Sequence, residues 1–207
     1  MEVICIRVSI AAGAKVPRER GVAAMHQQQR IRQNLVQPFD DCLGTIDRIT
    51  EGRAVSTEMV IRAVRREDFP AWQVLWDGYN AFYGREGSTK LPTEIVQMTW
   101  SRFFDSYEPV HAVVAERAGA LLGLAHFLFH RSTTHIGPLC YLQDLFTAES
   151  ARGHGVGRAL IGAVYERAAA AGSSRVYWMT HETNTAAMAL YDKVAEKSGF
   201  IVYRHLL

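Results

Sequence analysis

The run Tyr141-Leu142-Gln143-Asp144-Leu145-Phe146-Thr147, followed by Arg152-Gly153-His154-Gly155-Val156-Gly157-Arg158-Ala159-Leu160-Ile161, constrains this chain more than any other stretch. It reads as a strand, a glycine-rich turn and a helix that begins near Gly157. Glycine permits tight or left-handed geometry and leaves no side chain between the backbone N–H groups and an approaching anion. The helix start adds the positive end of its dipole and donors that lack intrahelical acceptors. The segment therefore predicts a site for a phosphate or diphosphate.

The net charge of +2 over 207 residues gives no basic footprint of the kind a nucleic-acid binder shows. Cys5, Cys42 and Cys140 are odd in number and far apart, so neither a disulfide framework nor a zinc module is expected. A reducing cytoplasm fits that usage. The apolar opening from Met1 to Ile10 is too short to cross a bilayer and lacks a basic start with a full signal-peptide core. No membrane segment is expected.

The texture changes near Met59. From Gly13 to Glu58 no helical or strand period persists, which predicts that residues 1–58 form a poorly ordered extension and residues 59–207 the functional unit. Met59 to Val64 reads as a strand, and Arg66-Glu67-Asp68-Phe69-Pro70 as a helix entry. Trp72, Leu75, Trp76, Tyr79 and Tyr83 recur at helical spacing over Pro70 to Tyr83. A second helix is expected from Pro92 to Ser106. Strands follow at His111 to Glu116 and Leu121 to Phe129, joined by a hairpin turn, and at Leu139 to Thr147. The helix after the glycine turn should run to Ala171 with Gly172 as its C-cap. Arg175 to Thr180 then reads as a strand, Thr185 to Lys197 as a helix and Phe200 to Arg204 as a last strand.

These motifs and their order resemble the GNAT superfamily of N-acetyltransferases from Met59 onward. Arg152-Gly153-His154-Gly155-Val156-Gly157 is similar to the superfamily's Arg/Gln-x-x-Gly-x-Gly/Ala coenzyme A loop. Tyr141 to Thr147 looks like its split central strand, and Asn184-Thr185-Ala186-Ala187-Met188-Ala189-Leu190-Tyr191 like its Asn-x-x-Ala-x-x-Leu-Tyr helix. The resemblance implies an α/β fold with a mixed, mostly antiparallel sheet, a splayed strand pair and flanking helices. It also implies acetyl-CoA as co-substrate, a small-molecule primary amine as acceptor, direct attack in a ternary complex, and a homodimer. The final Leu190-Tyr191-Asp192-Lys193 places the chain nearest the small-amine and histone-type members.

Site residues follow from the same matches. Gly153, His154, Gly155, Val156, Gly157 and Arg158 would hold the diphosphate through main-chain donors, with Arg152 adding charge. Each bond to a charged oxygen contributes about 1.5 to 3 kcal/mol, so several suffice without a metal. By resemblance, Leu145, Phe146 and Thr147 flank the pantetheine arm, which behaves as an added strand, and Asn184 contacts the coenzyme or caps its helix. An amine of pKa about 10.4 is neutral in roughly one molecule in a few thousand at pH 7, so a group must take its proton. Asp144 is the candidate. Polyamine acetylating members carry Glu-Asp where this chain has Gln143-Asp144. Tyr191 resembles the superfamily's general acid, which protonates the leaving thiolate; a core tyrosine is the plain alternative. Tyr79, Tyr83, Glu86 and Gln143 are candidate acceptor contacts.

The same residues admit other readings. A dinucleotide fingerprint spaces its glycines differently and lies early in its fold, and a Walker loop needs Gly-Lys-Ser/Thr. His126, His130 and His135 lack further ligands at metal spacing, so no metal is expected and a substrate-facing or solvated role is preferred. Cys140 lies outside the motifs, which argues against an acyl-enzyme. A coenzyme-A sensor without turnover and a protein-directed acetyltransferase remain alternative functions, the segment from Gly84 to Pro92 being the expected discriminator between closed pocket and open trough.

Overall fold

The computed structural model describes residues 58–207. The expected extension, apart from Glu58, lies outside the described residues, as do Cys5 and Cys42. Val60–Ala63 (β1), Val110–Arg117 (β2), Ala120–His130 (β3), Leu139–Thr147 (β4) and Val176–Tyr177 (β5) form a five-stranded sheet in that order. Neighbours are antiparallel through β4, and β4 runs parallel to β5. β2 and β3 meet at a two-residue turn in which Ala118 (φ 51°) and Gly119 (φ 81°) are both left-handed. That conformation matches the twist of a tight hairpin.

Helices Phe69–Phe82 (α1) and Thr93–Arg102 (α2) supply the core of one sheet face, and Val156–Ala170 (α3) supplies the other. Val113, Ala115, Phe127, Cys140 and Leu142 meet Leu160, Ile161 and Val164 of α3. On the opposite face Ala112, Val114 and Leu124 meet Trp72, Leu75, Trp76 and Val96. Covering on both faces explains why β2 and β3 carry unbroken apolar runs rather than alternation. The buried residues of α1, Trp72, Leu75, Trp76 and Tyr79, keep the three- and four-residue spacing of one helix face. A short helix, Thr185–Tyr191 (α4), packs Leu190 and Tyr191 against the α3-side core.

Two devices fix the frame. Arg62 of β1 grips Asp68 at the mouth of α1 with Nη1–Oδ2 at 2.6 Å and Nη2–Oδ1 at 2.8 Å, while the Arg65 N–H donates to Oδ2 at 2.7 Å. The Arg62 guanidinium holds the Asp68 carboxyl below the ordinary carboxylate range. At the far end of α3, Gly172 (φ 72°) donates to Ala169 O at 3.0 Å and Ser173 N–H to Ala168 O at 2.9 Å. This paired motif is the expected glycine C-cap.

Several expected elements are shorter. α2 stops at Arg102 rather than Ser106, and the Asp105 carboxylate instead accepts from Tyr107 N–H at 2.9 Å. Such a local side-chain turn competes with helix. The strand read at Arg175 to Thr180 reduces to Val176–Tyr177, and α4 ends at Tyr191 instead of Lys197. After Tyr191 the chain tightens, with Lys193 N–H on Leu190 O and Val194 N–H on Tyr191 O, each at 3.0 Å. Phe200 to Arg204 is not a strand. Its apolar side chains are exposed, Phe200 at 87% and Tyr203 at 89%. Strand propensity reflects fit to a half-buried pleated surface, and no partner strand meets this segment among the described residues.

Candidate active site

The site forms where β4 outruns its neighbour. β5 pairs with β4 only at Cys140 and Tyr141. From Leu142 to Thr147 the β4 edge away from β3 therefore has no strand beside it, and its backbone groups stay available to an extended ligand. Across β3, the register steps from Phe127↔Leu142 to His126↔Asp144, leaving Gln143 as a bulge. The bulge changes which face the later residues use. Leu142 and Leu145 pack with the α3-side core, whereas Phe146 joins the α1 side. Asp144, 8% exposed, also turns to the α1 side, next to Tyr79.

At the end of β4 the chain enters the glycine loop. Gly153 (φ 77°) and Gly155 (φ 80°) are left-handed, and a Cβ on either would meet nothing within 4 Å. They are needed for conformation, not for packing space. Gly155 caps α3, whose first bond runs from Ala159 N–H to Gly155 O at 3.0 Å. The N–H groups of Val156, Gly157 and Arg158 precede that bond and lack intrahelical acceptors. They stand at the positive helix end.

Loop, edge and α4 border a half-open cavity of about 600 Å³. Leu145, Phe146, Thr147, Arg152, Gly153, Gly155, Val156, Gly157, Arg158 and Asn184 line it, together with Tyr191, Tyr79 and Tyr83. Thus most of the residues expected to contact the coenzyme meet the expected acid and two expected acceptor contacts in a single space. Phe82, Ala151, Ala186, Ala187, Ala189, Leu190 and Lys193 also line it, and the motif reading did not assign them. Lys193 adds a third long cationic side chain beside Arg152 and Arg158.

Tyr191 is half-buried, with the Trp178 ring edge-on at 5.3 Å. Burial, and next the neighbouring Tyr83, push its phenol up to about 12, so it carries its proton throughout the physiological range. Asn184 caps α4, its Oδ1 accepting from Ala187 N–H at 3.4 Å while the residue also lines the cavity. Tyr79 carries a phenol raised by burial first and by Asp144 second.

Other expected contacts stand apart. His154 turns its Nδ1 to Arg152 O at 2.8 Å and does not line the cavity. Gln143 is exposed on the bulge, and Glu86 caps a short turn at Gly87–Thr89; neither lines the cavity. Asp144 lies outside the lining and behind Tyr79.

His126 is neither substrate-facing nor solvated: at 2% exposure it accepts from Trp72 Nε1 at 2.9 Å and faces Asp144 Oδ2 at 3.0 Å. The central position of β3 under α1 buries it. His130 meets the Tyr177 hydroxyl at 2.9 Å, and His135 turns to Thr134 Oγ1 at 2.9 Å. Among the described residues no cluster of three His, Cys, Asp or Glu side chains is placed to hold a metal ion. Cys140 is fully buried, and burial pushes its thiol up to about 11.

A family model described as the acetyltransferase (GNAT) family matches residues 71–195, a span that holds α1, the open β4 edge, the glycine loop and α4. The chain belongs to the GNAT family. This GNAT protein is 36% identical over 154 residues to the D-amino-acid N-acetyltransferase HPA3 of Saccharomyces cerevisiae (strain ATCC 204508 / S288c), a match covering 73% of this chain and 93% of the relative. In fold it is similar to a transcriptional regulator from Bacillus halodurans C-125 at 20% identity and TM-score 0.63, covering 72% of this chain and 100% of that one. It is also similar to the aminoglycoside acetyltransferase AAC(6')-Iy in complex with a bisubstrate analogue, at 17% identity and TM-score 0.62, covering 72% and 99%. Family membership makes it an acyltransferase that moves acetyl from acetyl-CoA to nitrogen. Among the described residues no helix is long and apolar enough to cross a membrane.

Proposed function

We propose that this GNAT enzyme acetylates the primary amine of a small, cationic molecule by direct transfer from acetyl-CoA held in the 600 Å³ cavity. The carrying observation is that the glycine loop, the open β4 edge and Tyr191 line one space. The left-handed Gly153 and Gly155 give the loop a conformation that Cβ-bearing residues adopt only at a cost, and it is this backbone that would cradle the diphosphate. Acetyl-CoA bound there supplies an activated acyl thioester.

The chain's own groups divide the remaining work. N–H groups from Gly153 to Arg158, with Arg152, Arg158 and Lys193, hold the diphosphate. The free edge at Leu145 to Thr147 orients the pantetheine, and a backbone N–H near Leu145 stabilises charge on the thioester oxygen. Tyr79 faces the amine with Asp144 behind it, so the bound ammonium gives up one proton toward Asp144 through the Tyr79 hydroxyl or water, and the neutral nitrogen then bonds the acyl carbon. The C–S bond then breaks as the Tyr191 hydroxyl gives its proton to sulfur, and the second proton left on the acylated nitrogen passes to the Tyr191 oxygen or to solvent. A phenol pushed up to about 12 keeps its proton until negative charge develops on sulfur, as a general acid must. The raised Cys140 thiol and its place in the α3-side core argue against an acyl-enzyme.

Tyr79, Phe82 and Tyr83 close the α1 side of the cavity, which favours a small acceptor; HPA3, named for D-amino acids, is consistent with that class. We also infer self-association through the exposed Phe200, Ile201, Val202 and Tyr203, an apolar run unusual on a lone surface. The test is a panel of D-amino acids, polyamines, aminoglycosides and lysine peptides, read by release of CoA thiol. Turnover of small amines above peptides is expected; turnover of peptides alone, or of nothing despite CoA binding, would overturn the assignment.

A further inference from the structure

We infer that Trp72 and His126 position Asp144 as a fixed carboxylate of net negative charge, so that the acceptor is selected as an ammonium and His126 is a positioning residue of the acetyl transfer. The inference rests on the proposed role of Asp144. Trp72 is fully buried, and its indole N–H donates to His126 Nε2 at 2.9 Å. An indole nitrogen can only donate, so Nε2 must present a lone pair and carries no hydrogen. The ring hydrogen therefore sits on Nδ1, which faces Asp144 Oδ2 at 3.0 Å. That separation alone would pass for an imidazolium–carboxylate pair. Trp72 excludes it, because an imidazolium has no lone pair on either nitrogen.

The charge consequence is direct. A neutral His126 donates to Asp144 but cannot balance it. The side chains packed on the His126 ring itself bring no cation: Trp76 and Phe103 rings lie 5.0 and 4.8 Å from it, and Ala112 of β2 is its strand partner. Tyr79 and Tyr141 face Asp144, and burial holds both phenols uncharged. Arg85 lies over the Tyr79 and Tyr83 rings at 5.9 and 5.5 Å. Among the described residues no lysine or arginine forms an ion pair with Asp144. A buried carboxylate without a countercharge is costly, and a primary ammonium beside Tyr79 removes that cost. Nδ1–H fixes Oδ2, and Tyr79, which hydrogen-bonds Asp144 and lines the cavity, stands between the carboxylate and the acceptor. His126 thereby governs where the amine nitrogen sits without touching it.

The test has two arms on the full chain. In the first, histidine labelled with 15N reports the His126 tautomer of the wild-type enzyme at about pH 7. A protonated Nδ1 with a bare Nε2 is expected; an Nε2–H form or an imidazolium overturns the inference, and no acceptor need be known. The second compares His126→Phe, His126→Asn and Asp144→Asn with D-lysine and the panel's fastest amine. His126→Phe fills the core but donates nothing, whereas the Asn amide N–H takes the place of Nδ1–H. The Phe variant should lose at least about tenfold in kcat/KM for the amine with an unchanged KM for acetyl-CoA, and the Asn variant should recover most of it. A purely structural role would make activity follow thermal stability, with Phe the better of the two, and that result refutes the proposal. If Asp144→Asn is impaired while His126→Phe acts as wild type, the positioning role fails and the role of Asp144 stands. If Asp144→Asn retains full activity, both fail.

Discussion

Gly155→Ala isolates the conformational demand of the anion loop. The residue sits at φ 80°, and a Cβ there meets nothing within 4 Å, so the substitution adds strain without a clash. A left-handed non-glycine residue costs about 1–2 kcal/mol. Gly155 is exposed at the loop tip, so an alanine loop relaxes in the free protein and the bound form bears the cost. At about 1.4 kcal/mol per decade, the CoA dissociation constant should rise about 5- to 30-fold. Gly84 supplies the control: it is equally left-handed at φ 73°, equally open, and absent from the cavity lining. Gly84→Ala should lower the melting temperature and leave CoA affinity unchanged. Calorimetry of CoA binding to both variants checks this. Wild-type affinity in Gly155→Ala, or equal weakening in Gly84→Ala, refutes the assignment of the diphosphate to this loop.

Other substitutions probe other joints. Tyr191→Phe should lower kcat at least about tenfold with little change in the acetyl-CoA KM; and because the phenol holds its proton up to about 12, wild-type turnover should show no decline from its ionisation between about pH 8 and 10. Gly123→Ala would put a Cβ 2.6 Å from the Phe146 carbonyl oxygen; this overpacking should cost about 1–3 kcal/mol and weaken CoA binding by displacing the β4 edge, as seen by denaturation and calorimetry. Asp68→Asn breaks the Arg62 clamp and should cost about 2 kcal/mol at pH 7. Since the folded Asp68 carboxyl lies below its unfolded range, its contribution is full above about pH 4 and is lost as the pH falls through the folded value. Urea denaturation at neutral and acid pH should show the wild type and variant converging only in acid.

Much of this enzyme is legible locally. The bounds of β4 and the start and stop of α3 come directly from an apolar run and from glycines at 155 and 172, whose conformations no other residue adopts easily. The loop residues and Tyr191 are legible because they recur as a motif, and all of them but His154 line one cavity. The rest depends on partners distant in sequence. Phe200 to Arg204 has strand composition but no described strand to pair with. His126 looks like one member of an exposed histidine series until α1 brings Trp72 over it, a contact across 54 residues. Simple alternation places Leu142 and Asp144 on one face; the bulge at Gln143 separates them, and a bulge leaves no clear mark in composition. Glu86 and Gln143 stay outside the cavity, Glu86 because it caps the turn at Gly87–Thr89 and Gln143 because it sits exposed on the bulge.

The central claim is that free amides at the start of α3 grip the diphosphate while the open β4 edge receives the rest of the coenzyme. A crystal structure of the full chain with CoA tests it most directly. Diphosphate oxygens within about 3.2 Å of the Gly157 and Arg158 nitrogens, with the pantetheine beside Leu145 to Thr147, are predicted. A diphosphate bound elsewhere, with those amides facing water, would contradict it.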